Sequence, residues 1–335
     1  MEMTPFIGNL AASEFLRSTL TSGHAVHAYL LTGPPRVGKR TLATRHAAAL
    51  ICPKPLEDRP CGVCRSCLQV AQGRHADVRI TELAEGKKNI SIDQIRQLEH
   101  EAALRPYEAE VKLLLIIDAH TLNTAASNAL LKTLEEPPED TTLILTAADA
   151  SQVLPTIASR CQEIPLRPVS AAEIEAALEA LGADAARATL LARLSGGRPG
   201  WALGALNDGA SLGRRETHLE ALEALLGRAP AARLPAAATV TDPAAASDLL
   251  DLWQTWWRDA LLVAEGCDDL IANVDRVDAL RRAQRAGAST RACLQAIRRI
   301  QETRVQIEAN ANMRLAMESL LLDLPVITDL VGVPA

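Results

Sequence analysis

The run HAYLLTGPPRVGKRTLA, residues 27–43, constrains this chain more than any other stretch. An apolar segment at 27–32 enters a loop, residues 33–39, that fits G-x-x-x-x-G-K, and a helical pattern follows over 39–51. Glycines let backbone N–H groups curl around phosphate oxygens, the helix N-terminus adds positive potential, and a lysine reaches the outer phosphates. Gly33, Gly38 and Lys39 are therefore the candidate phosphate-binding residues. A Ser or Thr hydroxyl should follow that lysine to bind Mg2+, but Arg40 stands there. Thr41 cannot simply substitute, because one step along a helix turns the side chain by about 100°. The loop has the shape for phosphate and lacks a part needed to hold Mg·ATP productively.

Strand-like and helix-like segments alternate around this loop. Helical spacing covers 8–24, 39–51, 90–104 (with Ser91 as the start) and 124–135, where Pro137 and Pro138 stop it. Strand-like runs fall at 27–32, 76–81, 111–117 and 142–147. Such alternation predicts an α/β fold, a parallel sheet with helices on both faces. After Pro168 the pattern is helical only, with one unit ending near Asp208 and another from about Leu212 to Leu324, broken at GRAPAARLPAAATVTDP. Three regions are expected: 1–168, 169–208 and 209–335.

The strand at 111–117 ends in five apolar residues and then Asp118, where a nucleotide hydrolase holds its metal. A Glu usually follows that Asp to prepare the attacking water, and here Ala119 does. Phosphoryl transfer then lacks a positioning element.

Cys52, Cys61, Cys64 and Cys67 place four thiols within sixteen residues. The N-terminus has acids and no apolar core of a signal peptide, so C-x-x-C spacing here points to metal rather than disulfides. A closed set of four thiolates suits structural Zn2+; an iron–sulfur cluster and unliganded thiols are the alternative readings. Cys161, Cys267 and Cys293 read as ordinary small apolar residues. The formal charge of −6 argues against coating nucleic acid by bulk attraction, and no run is long and apolar enough for a membrane span, so a cytoplasmic protein is expected. Residues 276–314 carry nine Arg against three acids, read as a solvated helical face with an anionic partner as the alternative. Trp253, Trp256 and Trp257 fit one helix face, read as packing.

Taken together, HAYLLTGPPRVGKRTLA, the four-cysteine module, IIDAHTLNTAASNALLKTLEEPPEDTTLILTAAD and TIASRCQEIPL resemble the bacterial DNA polymerase III clamp-loader subunits, densely over residues 5–170. The resemblance continues through SGGRPGWALGAL and ends at NANMRLAMESLLLDL. It implies an AAA+ P-loop-type domain with a zinc module at 52–67, a small helical lid and an all-α collar that assembles subunits into a ring. The ring it implies loads a sliding clamp onto primer–template DNA. ATPase members of the tau/gamma type carry the Glu missing at Ala119, the hydroxyl missing at Arg40, and a lid arginine where Gly200 aligns, with Arg198 two positions earlier. These departures favour the delta-prime branch, with little ATPase activity of its own and weak ATP or ADP binding at most. The same resemblance makes Arg160, in Ser159–Arg160–Cys161, an arginine finger for a neighbouring tau/gamma ATPase subunit, in a complex that also holds a delta subunit. Gly33, Gly38, Lys39, Arg40, Thr41 and Asp118 would then form a degenerate nucleotide site. A self-sufficient ATPase and a zinc-dependent nucleic-acid-binding module are the alternatives.

Overall fold

Leucine and isoleucine dominate the inner strands of the sheet, and a strand buried on both faces belongs where both faces are covered. The computed structural model describes residues 3–22, 26–240, 242–309 and 311–327. Both ends of the chain, expected to open the first region and close the third, lie outside the described residues, as does Asn310 at the head of NANMRLAMESLLLDL. Strands β1 (Ala28–Thr32), β2 (Val78–Thr81), β3 (Lys112–Ile116), β4 (Thr141–Ala147) and β5 (Gln162–Pro165) form one sheet in the order β2-β3-β4-β1-β5. Every pairing is parallel. Every residue of β1, β3 and β4 is buried, whereas the edge strands β2 and β5 are partly exposed.

Side-chain alternation splits the surrounding core in two. Tyr29, Leu31, Leu113, Leu115 and Ile144 face one layer, built from α1 (Leu10–Ser22), α2 (Lys39–Ile51) and α3 (Arg65–Ala71). Leu30, Leu114, Ile116, Leu143 and Leu145 face the other, built from α4 (Ile92–Ala102), α5 (Thr124–Glu135) and α6 (Pro155–Ala158). Ser91 caps α4 in a reciprocal box with Gln94, and Asn123 caps α5 by accepting from the Ala126 N–H at 2.8 Å. Helix α3, inside the cysteine insertion, helix α6 and the edge strand β5 are elements that sequence periodicity missed; seven residues or fewer are too few to show a period.

The chain divides into two compact units, residues 1–177 with 197–201, and residues 178–196 with 202–335. Helix α7 (Ala171–Ala180) runs across that division. The second unit contains α8 (Ala185–Leu194), most of α9 (Pro199–Asn207), α10 (Ser211–Leu226), α11 (Pro230–Arg233), α12 (Pro243–Ala264), α13 (Val277–Arg285), α14 (Thr290–Glu308) and α15 (Met313–Asp323). Its core gathers Trp253, Trp256 and Trp257 of α12 with Leu219, Leu222, Ile300 and Leu320. Trp256 and Trp257 meet edge to face with centroids 5.0 Å apart. No described helix is long and apolar enough to cross a membrane.

Candidate functional site

The glycine loop leaves the carboxyl end of β1 and turns directly into α2. Gly33 sits at φ +141°, and a Cβ there would lie 2.3 Å from the Leu166 carbonyl oxygen, so no other residue fits. Lys39 is nearly buried, and its Nζ donates to the carbonyl oxygens of Gly33 at 2.5 Å and Pro34 at 2.9 Å. Burial holds its pKa below the ordinary lysine value, opposed by the nearby charge of Asp118. These two bonds engage two of the three ammonium donors and fold the side chain back over the loop. The loop is also held from above: the Gly200 N–H donates to the Arg36 carbonyl at 2.9 Å, and a Cβ on Gly200 would stand 2.9 Å from that oxygen. The position aligned with a lid arginine is thus pressed backbone to backbone against the loop.

Arg40, in place of a metal-binding hydroxyl, pairs through both terminal nitrogens with the carboxylate of Glu82, just beyond β2. Thr41 lines a small surface cavity of about 130 Å³ with Met3, Thr4, Thr44 and Arg45. Asp118 takes the left-handed conformation, φ +55°, at the end of β3. Its N–H donates to Thr146 Oγ1 at 2.8 Å, and its carbonyl accepts from Thr121 Oγ1 at 2.8 Å. Thr146, fully buried near the end of β4, escaped the sequence reading; its one signal was a hydroxyl in an otherwise apolar run. Ala119 is 2% exposed and packs in the layer that holds Ile95 and Leu98. A glutamate there would place a carboxylate in hydrocarbon.

Arg160 lies in the turn between α6 and β5. Its Nη2 meets Glu135 Oε1 at 2.7 Å and its Nη1 donates to the Thr156 carbonyl at 2.9 Å. Because β5 runs parallel to β1, with Gln162 beside Tyr29 and Pro165 beside Thr32, Arg160 stands at the amino end of the sheet. The glycine loop stands at the carboxyl end, separated by roughly 10 Å of strand at about 3.3 Å per residue.

The four clustered cysteines do come together. Their sulfur atoms all lie within 4.8 Å of one another, and a tetrahedral zinc site with bonds of about 2.3 Å needs only a slight contraction of that spacing. Cys64 caps α3, its Sγ accepting from the Cys67 N–H at 3.4 Å, while Cys61 Sγ accepts from the Cys64 N–H at 3.4 Å. Backbone N–H groups of Val63 and Cys64 bring the Cys61 thiol down to about 6, while burial pushes Cys67 up. Cys52 and Cys67 face the layer under α2, which ties the module to the sheet domain. Cys161 and Cys293 lie among apolar neighbours, where burial raises their thiols to about 12 and about 11.

Most of the arginines in 276–314 already have acidic partners: Arg276 with Glu216, Arg281 with Asp268, Arg299 with Asp323, Arg304 with Asp251 and Arg314 with Glu318.

A family model described as DNA polymerase III, delta subunit matches residues 8–170, and one described as DNA polymerase III, delta subunit, C terminal matches residues 210–325. The DNA polymerase III subunit delta' of Pseudomonas aeruginosa is 44% identical over 177 residues, 52% of this chain and 53% of that protein. The delta' subunit of Escherichia coli K12 is 34% identical over 212 residues, 62% of this chain and 63% of that protein. The gamma/tau subunit of Mycobacterium bovis is 33% identical over 216 residues, 63% of this chain and 37% of that protein. The matched stretch thus spans about half the length of the first of these relatives.

Proposed function

Since the chain belongs to the DNA polymerase III delta-subunit family of clamp-loader proteins, we propose that it acts as a delta-prime-type ring subunit. In this reading residues 169–208 form the lid and 209–335 the collar, and the ring also holds tau/gamma ATPase subunits and a delta subunit. The ring places a sliding clamp on primer–template DNA in the cytoplasm. The chain hydrolyses little or no ATP itself and offers Arg160 to the nucleotide of a neighbouring ATPase subunit.

One observation carries this reading. Arg160 stands at the end of the sheet opposite its own glycine loop, so it cannot serve a phosphate bound there, whereas a nucleotide on an adjoining subunit can come to it. Two features of the chain's own site support inactivity: Arg40 engaged with Glu82, and a buried Ala119. The second reading, a tau/gamma-type ATPase, draws on the 33% identity to gamma/tau. Steady-state turnover of the isolated chain separates the two. Turnover at background, unaltered by Lys39→Ala, is expected. Robust turnover that vanishes in Lys39→Ala would make the ATPase reading correct.

The cysteine module is read as a structural zinc site. Cys52, Cys61, Cys64 and Cys67 would occupy all four positions of a tetrahedron, leaving none for water or substrate, so the ion would supply folding energy and no chemistry. Metal analysis should find one zinc per chain, and Cys64→Ser should lower zinc content and expose α3 to protease, since binding and local folding are coupled. A metal-free purified chain, or one bearing an iron chromophore, would refute this.

A further inference from the structure

The finger assigned to Arg160 is not idle. Its guanidinium is held by Glu135, the last residue of α5, at 2.7 Å, and by the carbonyl of Thr156 at 2.9 Å. Helix α5 is fixed at its other end by the Asn123 cap and along its length by Ala126, Leu130 and Leu134 in the core, so the carboxylate is presented from a rigid element. We propose that Glu135 is a restraint on Arg160, an internal anion that occupies the guanidinium until a neighbour's terminal phosphate displaces it. This rests on the trans-acting reading of Arg160.

The physical basis is a competition between two anions for one planar donor set. A carboxylate and a phosphate both accept from guanidinium, and the phosphate offers more charge and more oxygens. Arg160 cannot give Nη2 fully to both. The side chains are 35% and 52% exposed, so water and salt screen the pair and the restraint is weak. A weak restraint suits a group that must be released on each cycle. It also keeps an exposed arginine from sampling many rotamers at the subunit edge.

The test uses the reconstituted loader carrying Glu135→Gln, Arg160→Ala, or both, with assembly followed by size. The glutamine keeps shape and an acceptor but removes the charge. Glu135→Gln should raise ATP turnover in the absence of DNA by about two- to fivefold, the range an exposed pair of this kind can supply. That gain should shrink at high salt, where screening already loosens the pair, and should vanish in the double variant. Damage to the fold cannot produce such a gain. Unchanged or lowered turnover in Glu135→Gln, with Arg160→Ala still impaired, overturns the restraint and leaves the finger standing. Wild-type turnover in Arg160→Ala removes the finger and the restraint with it.

Discussion

If Arg160 is the proposed finger, a loader assembled with Arg160→Ala in this subunit is expected to elute as the wild-type complex does and yet lose roughly 10³-fold in ATP hydrolysis at the neighbouring site. That figure is the lower end of what trans-acting arginines contribute. The expectation separates stability from chemistry. In the folded chain Arg160 makes one part-exposed ion pair and one hydrogen bond to a carbonyl, together worth about 1 kcal/mol or less to the fold. Charge that develops on the transferring phosphoryl group has no such cushion, because the donor must already be in place when the bond breaks. Arg160→Lys should recover little, since a single ammonium does not reproduce a planar fork of donors. Single-turnover hydrolysis by the DNA-bound complex reads the effect, and clamp loading should fall with it. Wild-type rates in a correctly assembled complex would end the trans role; failed assembly would make Arg160 an interface residue instead.

Arg233→Met should destabilise the helical unit by about 3 kcal/mol, because a buried hydrogen-bonded cation would be replaced by a side chain with no donors. Arg233 is wholly buried and its guanidinium donates to five carbonyl oxygens: Leu226 at 3.1 Å, Arg228 at 3.0 Å, Leu321 at 3.2 Å, Leu324 at 2.6 Å and Pro325 at 3.0 Å. These carbonyls lie at or just beyond the C-termini of α10 and α15, where positive charge is favoured by the helix dipoles as well, and that of Leu226 also accepts from the Ile327 N–H at 2.9 Å. Methionine has a similar length, which limits the cavity and isolates the loss of the donors. Trp253, Trp256 and Trp257 all sit in this core, so denaturation followed by tryptophan fluorescence reports mainly on the affected unit. Arg233→Lys, with three donors for five acceptors, should fall between. A change under about 1 kcal/mol in Arg233→Met would show that water or relaxation satisfies those carbonyls.

Much of the sheet domain was legible because its signals are local. The 39–51 and 124–135 helices, the Ser91 start and the buried strands follow from spacing and from caps within a few residues. The four-cysteine cluster was legible for the same reason, since three of its thiols lie within seven residues around the start of α3 and the fourth caps the C-terminus of α2. Helix α3 escaped because it is short, and Thr146 because a hydroxyl in a strand says nothing about which backbone group it will meet. The Arg-rich stretch reads as a surplus of charge; its partners, such as Asp251 and Asp268, lie outside residues 276–314.

The parallel α/β class, the glycine loop with its missing hydroxyl, the clustered cysteines and the helical C-terminal half could all be read from the amino-acid order. Each is written in period, cap or spacing over fewer than about twenty residues. What Arg160 and Arg233 touch could not be read that way. Glu135 reaches Arg160 across 25 positions and Leu324 reaches Arg233 across 91, through helices whose relative placement no local pattern encodes. The burial of Ala119 in hydrocarbon and the contact of Gly200 with the Arg36 carbonyl are likewise products of the folded chain. Sequence names the residue at such a position, and only packing sets which way it points and what it must satisfy there.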